Sequence, residues 1–166
     1  MRLPRIFFPV AMLVLAAASP QAQTVDSTKL KINGVIGLSS TYQQVVKALG
    51  NPASETSPRM EQCTGGHEKT VRYAGLTFYF MNGISRDGKT FEVEGFMVSS
   101  PKWPVSGAKV GDTEAVIRRR FGSRFAVGKD PQTGAKTWSY EKDESTTTVA
   151  FKNGKVVSIT SSFQVC

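Results

Sequence analysis

The chain has 166 residues, with 21 lysines and arginines against 13 aspartates and glutamates, a formal charge of +8, one histidine and two cysteines. A zinc site needs roughly three or four ligands, and the loop that holds Cys63 and His67, with its glutamates, offers at most two or three; no glycine-rich phosphate loop leads into a helix, since Gly65-Gly66 stands alone. The basic balance favours acidic partners such as anionic glycans, lipid head groups or an acidic protein face.

The chain opens on Met1-Arg2-Leu3-Pro4-Arg5, an apolar run from Ile6 to Ala18 and the small-residue stretch Ser19-Pro20-Gln21-Ala22-Gln23, the layout of a secretory signal. The run is short of the roughly 20 residues that span a bilayer as a helix. No later segment of the sequence is long and apolar enough to do so, and no cysteine follows the run at the position where a bacterial lipoprotein is acylated. The expectation is therefore a periplasmic or secreted protein, not membrane-spanning, with residues 1–23 removed. Nucleic acid is a poor partner for such an address. Loss of Arg2 and Arg5 takes the formal charge from +8 to +6 and leaves about 143 residues, enough for one domain with a real core. Cys63 and Cys166 both survive, and in an oxidising compartment such a pair predicts a disulfide. In the chain-entropy model, closing a loop of about 100 residues contributes up to ~4.7 kcal/mol, less any strain.

The mature part reads as two related halves: 24–100, with a helix at about 40–49 and strands within 70–98, and 108–166, with a helix at about 112–121 and strands within 136–165. Leu38 to Gly50 lies over Val110 to Gly122 without a gap at an offset of 72, so that Thr41 and Thr113, Val45 and Ile117, and Gly50 and Gly122 coincide. Tyr73 pairs with Tyr140, and Phe80-Met81-Asn82-Gly83 with Phe151-Lys152-Asn153-Gly154. Ser40 and Asp112 are natural N-caps, and the two closing glycines fit the left-handed residue that ends a helix. In the first helix Tyr42, Val45, Val46 and Leu49 form one apolar stripe. Asn51 to Gly66 reads as a long loop broken by Pro52 and Pro58. Alternation then places Leu76, Phe78, Phe80, Phe91, Val93 and Met97 on one side of a hairpin turning at Asn82-Gly83, with Thr77, Tyr79, Glu92, Glu94 and Val98 on the other. In the second half Val149 and Phe151 precede Asn153-Gly154, and Val157, Ile159 and Phe163 alternate with Ser158, Thr160 and Ser162. Residues 101–107, with Pro101 and Pro104, read as a linker. The fold class expected is α+β: two tandem helix-then-antiparallel-hairpin repeats forming one sheet with the helices packed on one face.

A helix-opening pattern of the form Gly-x-Thr-x-x-x-Val-x-x-x-x-Gly is present as Gly111, Thr113, Ile117 and Gly122, and again as Ser39, Thr41, Val45 and Gly50, with Ser39 in place of the first glycine. Occurring twice, each time before alternating hairpins, it resembles the superfamily of beta-lactamase inhibitory protein and the small lipoprotein of the outer-membrane barrel-assembly machine. The resemblance spans the chain from about Gly34 to Cys166. It implies the tandem fold and a protein-binding role, such as an inhibitor or immunity-type protein, and names no target.

Candidate sites are few. His67 lies four residues after Cys63, with Glu61 and Glu68 nearby, the sparse ingredients of a Cys–His hydrolase; a disulfide at Cys63 removes the nucleophile. Tyr79 and Phe96 fall in register with outward polar residues and predict an aromatic contact surface, while Trp103, Trp138, Tyr73 and Tyr140 either extend it or close the core edges. The competing reading turns Phe96 inward at a bulge near Gly95. Arg118, Arg119 and Arg120, with Arg124 and Lys129, form a basic patch in which Arg118 occupies the place of Val46 on the first helix's stripe; it must snorkel or find a carboxylate. The expectation is a binding protein without catalytic residues, cofactor or metal, whose partner is a protein on the open sheet face or, alternatively, an anionic glycan or lipid on the basic patch.

Overall fold

A computed structural model describes residues 25–83 and 87–163. The expected signal segment 1–23 and Cys166 lie outside the described residues.

After a 3-10 turn at Ser27–Lys29, helix α1 runs over Tyr42–Leu49 and helix α2 over Glu114–Phe121. Each begins one residue later than the cap expected from sequence: Thr41, not Ser40, and Thr113, not Asp112, accept a backbone N–H from inside the helix through their hydroxyls, from Gln44 and Val116. Gly50 and Gly122 end the helices at φ 81° and 92°. Ser40 and Asp112 serve a different purpose, sharing backbone bonds with the sheet. Ser39 N–H donates to Val93 O and Val93 N–H to Ser40 O, both at 2.8 Å; Gly111 N–H donates to Val156 O at 2.8 Å and Val156 N–H to Asp112 O at 2.9 Å. Ser39 sits at φ 62° where Gly111 has φ 93°, which is the physical reason a glycine suits this position.

The strands are β1 (Ser54–Glu55), β2 (Arg59–Met60), β3 (His67–Tyr73), β4 (Leu76–Met81), β5 (Glu92–Val98), β6 (Ala126–Lys129), β7 (Lys136–Lys142), β8 (Ser145–Lys152) and β9 (Lys155–Phe163). All belong to one antiparallel sheet of nine strands in the order β1-β3-β4-β5-β9-β8-β7-β6, with β2 pairing on β3. The stretch expected as loop from Asn51 to Gly66 thus contributes two short edge strands, because the two-residue runs on either side of Pro58 can each pair with β3 without a proline entering the ladder. Asn153-Gly154 makes a two-residue turn with φ 52° and 70°, closing Lys152 on Lys155. Asn82-Gly83 does not: β5 resumes only at Glu92.

Both helices lie on one face. In-register pairs run Phe78, Phe96, Ser161, Thr147, Tyr140 across five strands, so these side chains point the same way. The α1 residue Tyr42 meets Phe80 edge-on at 5.6 Å, and the α2 residue Phe121 meets Tyr140 at 5.9 Å, from that side. Val45, Ile117, Phe78, Phe96, Trp138 and Ile159 are fully buried there. The 101–107 segment is also drawn in: Val105 is buried, bridges to Ile32 and Ala108, and Trp103 donates its Nε1–H to Ala74 O at 2.8 Å. Burial of those two side chains against the sheet outweighs the turn-forming tendency of Pro101 and Pro104, so the segment packs as part of the domain.

Simple alternation fails at two places, for one reason. The β4–β5 pairing slips between Tyr79 and Phe80, leaving Glu94 as an extra residue, and the β8–β9 pairing slips between Ala150 and Phe151, leaving Val157 extra. Beyond each bulge the inward set shifts by one. Val98 faces the core in place of Met97, and Val156 in place of Val157, which is 37% exposed.

Candidate functional site

Among the described residues no helix lies on the second face of the sheet. One rung of in-register partners crosses it as Arg72, Thr77, Met97, Thr160, Thr148, Ser139 and Ala126. The next runs Thr70, Tyr79, Gly95, Ser162, Thr146 and Glu141. At ~4.8 Å between strands, the longer rung spans roughly 30 Å. Between Arg72 at one end and Glu141 at the other the rungs are uncharged, built of hydroxyl and small side chains around Tyr79 and Met97. The hydroxyls of Ser139 and Thr148 lie 3.1 Å apart, a cross-strand pair that stiffens the surface. Gly95 keeps the middle low: a Cβ there would stand 3.1 Å from the Ser162 Cβ and 3.2 Å from Ser161 O. Tyr79, 40% exposed, rises beside it as the tallest side chain of its rung.

Three residues expected to extend this face are buried instead. Phe96 is 0% exposed, turned to the core by the bulge at Glu94; Trp138 is 0% exposed; Trp103 is 6% exposed, its ring held by Ala74 and by Tyr73 at 6.4 Å. They belong to the core, and burial of a large aromatic ring explains each placement better than contact with a partner. Met97, which simple alternation puts inside, is the outward neighbour of Tyr79; the bulge near Gly95 that turns Phe96 inward carries Met97 to the other face with it.

One corner of the face is acidic and covered. The loop 61–66 closes over Met81, with the Thr64 hydroxyl 3.4 Å from its sulfur. The Glu61 carboxylate accepts the N–H of Cys63 at 3.0 Å and of Thr64 at 2.7 Å, and these backbone bonds, first that from Cys63, hold its pKa below the ordinary value. Glu94 at the bulge is pushed up by desolvation and then by the charges of Glu68 and Glu61. Glu61 thus works as a loop clasp. His67 meets Asn82 through its backbone N–H, 2.7 Å from Oδ1. There is no free cysteine among the described residues, and no group of three His, Cys, Asp or Glu side chains placed to hold a metal ion.

The arginines stand on α2 and just after it. Arg118, Arg119, Arg120 and Arg124 are all exposed. Arg118 solves its placement on the stripe by laying its guanidinium over the rings of Trp138 at 4.9 Å and Phe125 at 5.2 Å, themselves stacked at 4.1 Å. Arg120 crosses Gly107, where an added Cβ would come within 2.9 Å of its Nη1. Two of the run are therefore engaged with the protein's own surface. Among the described residues no helix is long and apolar enough to cross a membrane.

No family model matches the chain, and no curated protein matches it. Among solved structures it is similar to a cysteine-rich secretory protein from Staphylococcus aureus, at 14% identity and a TM-score of 0.52, over 86% of this chain and 48% of that one. The chain spans about half the length of that protein, and the likeness is one of fold. Weaker matches are an extracellular protein containing a SCP domain from Bacillus anthracis, at 9% identity and a TM-score of 0.48 over 95% of this chain and 50% of that one, and a DUF4309 family protein from Bacillus subtilis, at 14% and 0.42 over 75% and 78%.

Proposed function

We propose that this chain is an exported binding protein without catalytic activity, two duplicated helix–sheet halves of the inhibitory-protein type, which docks a protein partner on its open sheet face in an inhibitor or immunity-type role. The observation that carries the reading is the face opposite the two helices: two rungs of hydroxyl and small side chains, uncharged in their middle, with Tyr79 and Met97 as anchors. Sheet surfaces of this kind gain affinity from an aromatic or methionine anchor surrounded by polar contacts that exclude water. The expected signal peptide and a Cys63–Cys166 bridge fit the same address.

The test is a pull-down from envelope extract with the oxidised protein at low and high salt. A discrete protein retained at high salt and lost with Tyr79→Ser combined with Met97→Ser supports the reading, because contacts of low charge are weakly screened. Retention of only glycan or lipid that washes off as salt rises sinks it in favour of the arginine patch.

A further inference from the structure

Away from the open face, between the segment 31–40 and α1, lies a groove of about 680 Å³, within the ~300–1,000 Å³ typical of small-ligand sites. Its apolar lining includes Val35, Leu38 and Ala48, and among the described residues the charged ones that line it are Lys31 and Lys47. Two local devices build it. The tight turn at Asn33-Gly34, with φ 51° and 74° and Val35 N–H bonded to Ile32 O at 3.0 Å, fixes Val35 on the rim, where it is 62% exposed. Gly37 lets the Lys31 side chain lie flat on the loop: a Cβ at Gly37 would stand 2.9 Å from Lys31 Nζ and 3.0 Å from its Cδ. An apolar rim set by a tight turn and flanked by two cations, with no carboxylate among the described lining residues to neutralise them, is complementary to one chemistry.

We infer that this groove takes up a single-chain anionic amphiphile as a monomer, a fatty-acid-type carboxylate set between Lys31 and Lys47 with its aliphatic chain against Val35, Leu38 and Ala48. The site is independent of the sheet-face reading.

Titration calorimetry with octanoate and laurate, each below its micelle concentration, tests it on the purified protein. Saturable binding is expected, tightening severalfold from octanoate to laurate as added methylenes leave water, with no binding of dodecyltrimethylammonium. Lys47→Glu and Val35→Asp, both at exposed positions and checked for folding by circular dichroism, should each weaken laurate about tenfold or more. Absence of saturable laurate binding, equal binding of the cationic detergent, folded variants that bind laurate like wild type, or association only with anionic vesicles would overturn the inference.

Discussion

In the first half Val46 completes the apolar side of α1; in the second the aligned residue is Arg118, lying over Trp138 and Phe125. The frame around both is the same. Tyr73 donates its hydroxyl to the carbonyl of Gly50 at 3.0 Å, and Tyr140 to that of Gly122 at 3.2 Å, so each helix end is tied to the sheet by a tyrosine. Lys69 reaches the first residue of α1, its Nζ 3.4 Å from the centre of the Tyr42 ring, and Lys136 reaches the first residue of α2, pairing with Glu114 at 2.9 Å. The bulges at Glu94 and Val157 fall at the same place in each hairpin. Backbone bonds and glycine caps fix where a helix lies on its sheet, and the side chains filling the seam are then free to differ.

The largest effect expected from breaking this frame is in the core beneath the helices. Ile117→Ala should cost ~2–5 kcal/mol in denaturant unfolding, whereas Ile117→Val, which copies Val45 of the other half, should cost only ~0.5–1.5 kcal/mol. Next come the caps. Thr41→Ala and Thr113→Ala should each lose ~0.5–2 kcal/mol, with Thr41 the costlier, because Gln44 returns a bond to the Thr41 N–H at 2.8 Å and completes a capping box. Tyr73→Phe and Tyr140→Phe should each cost ~1 kcal/mol. Burial pushes the Tyr140 hydroxyl up to about 12, with Arg118 opposing, so it stays protonated and donating through ordinary alkaline titration. Arg118→Ala should lose ~0.5–1 kcal/mol of ring contact, visible as a change in Trp138 fluorescence.

Asp26 sharpens the comparison from the side, since it clips the N-terminal turn to the second half alone. The Lys142 ammonium, 2.8 Å away, and then the Thr28 hydroxyl hold its carboxyl well below the usual carboxylate range. A depressed carboxylate stabilises the fold above its unfolded value and loses that contribution as pH falls, here below about pH 4. Lys142 is correspondingly raised, so its share is present below about pH 10.4 and fades above. Asp26→Asn should therefore flatten the acid limb of stability against pH, measured by thermal melts, and leave binding on the sheet face unchanged.

How far these features were legible follows their physics. Helices, closing glycines and the Asn153-Gly154 turn were readable because each depends on local chemistry. The bulges were legible only in part: Gly95 allowed one as the competing reading for Phe96, while the one at Val157 left no signal, because an extra residue in a strand leaves composition untouched and only shifts the period by one, which moved Phe96, Met97 and Val156 to faces opposite those that alternation gives. Trp103 and Trp138 illustrate a second limit, since a large ring serves an interface and a core equally well and only tertiary packing decides. The Thr and Ser rungs were visible as residues, but their alignment across strands from both halves required the β5–β9 pairing, a contact between the ends of the two halves.

The most direct measurement is the high-salt pull-down from envelope extract repeated with Thr148→Glu combined with Thr160→Arg, a cross-strand pair of opposite charge that obstructs the middle of the open face without like-charge repulsion. The account predicts a melting temperature close to wild type and loss of the retained protein; a folded double variant that retains the same protein undiminished would contradict it.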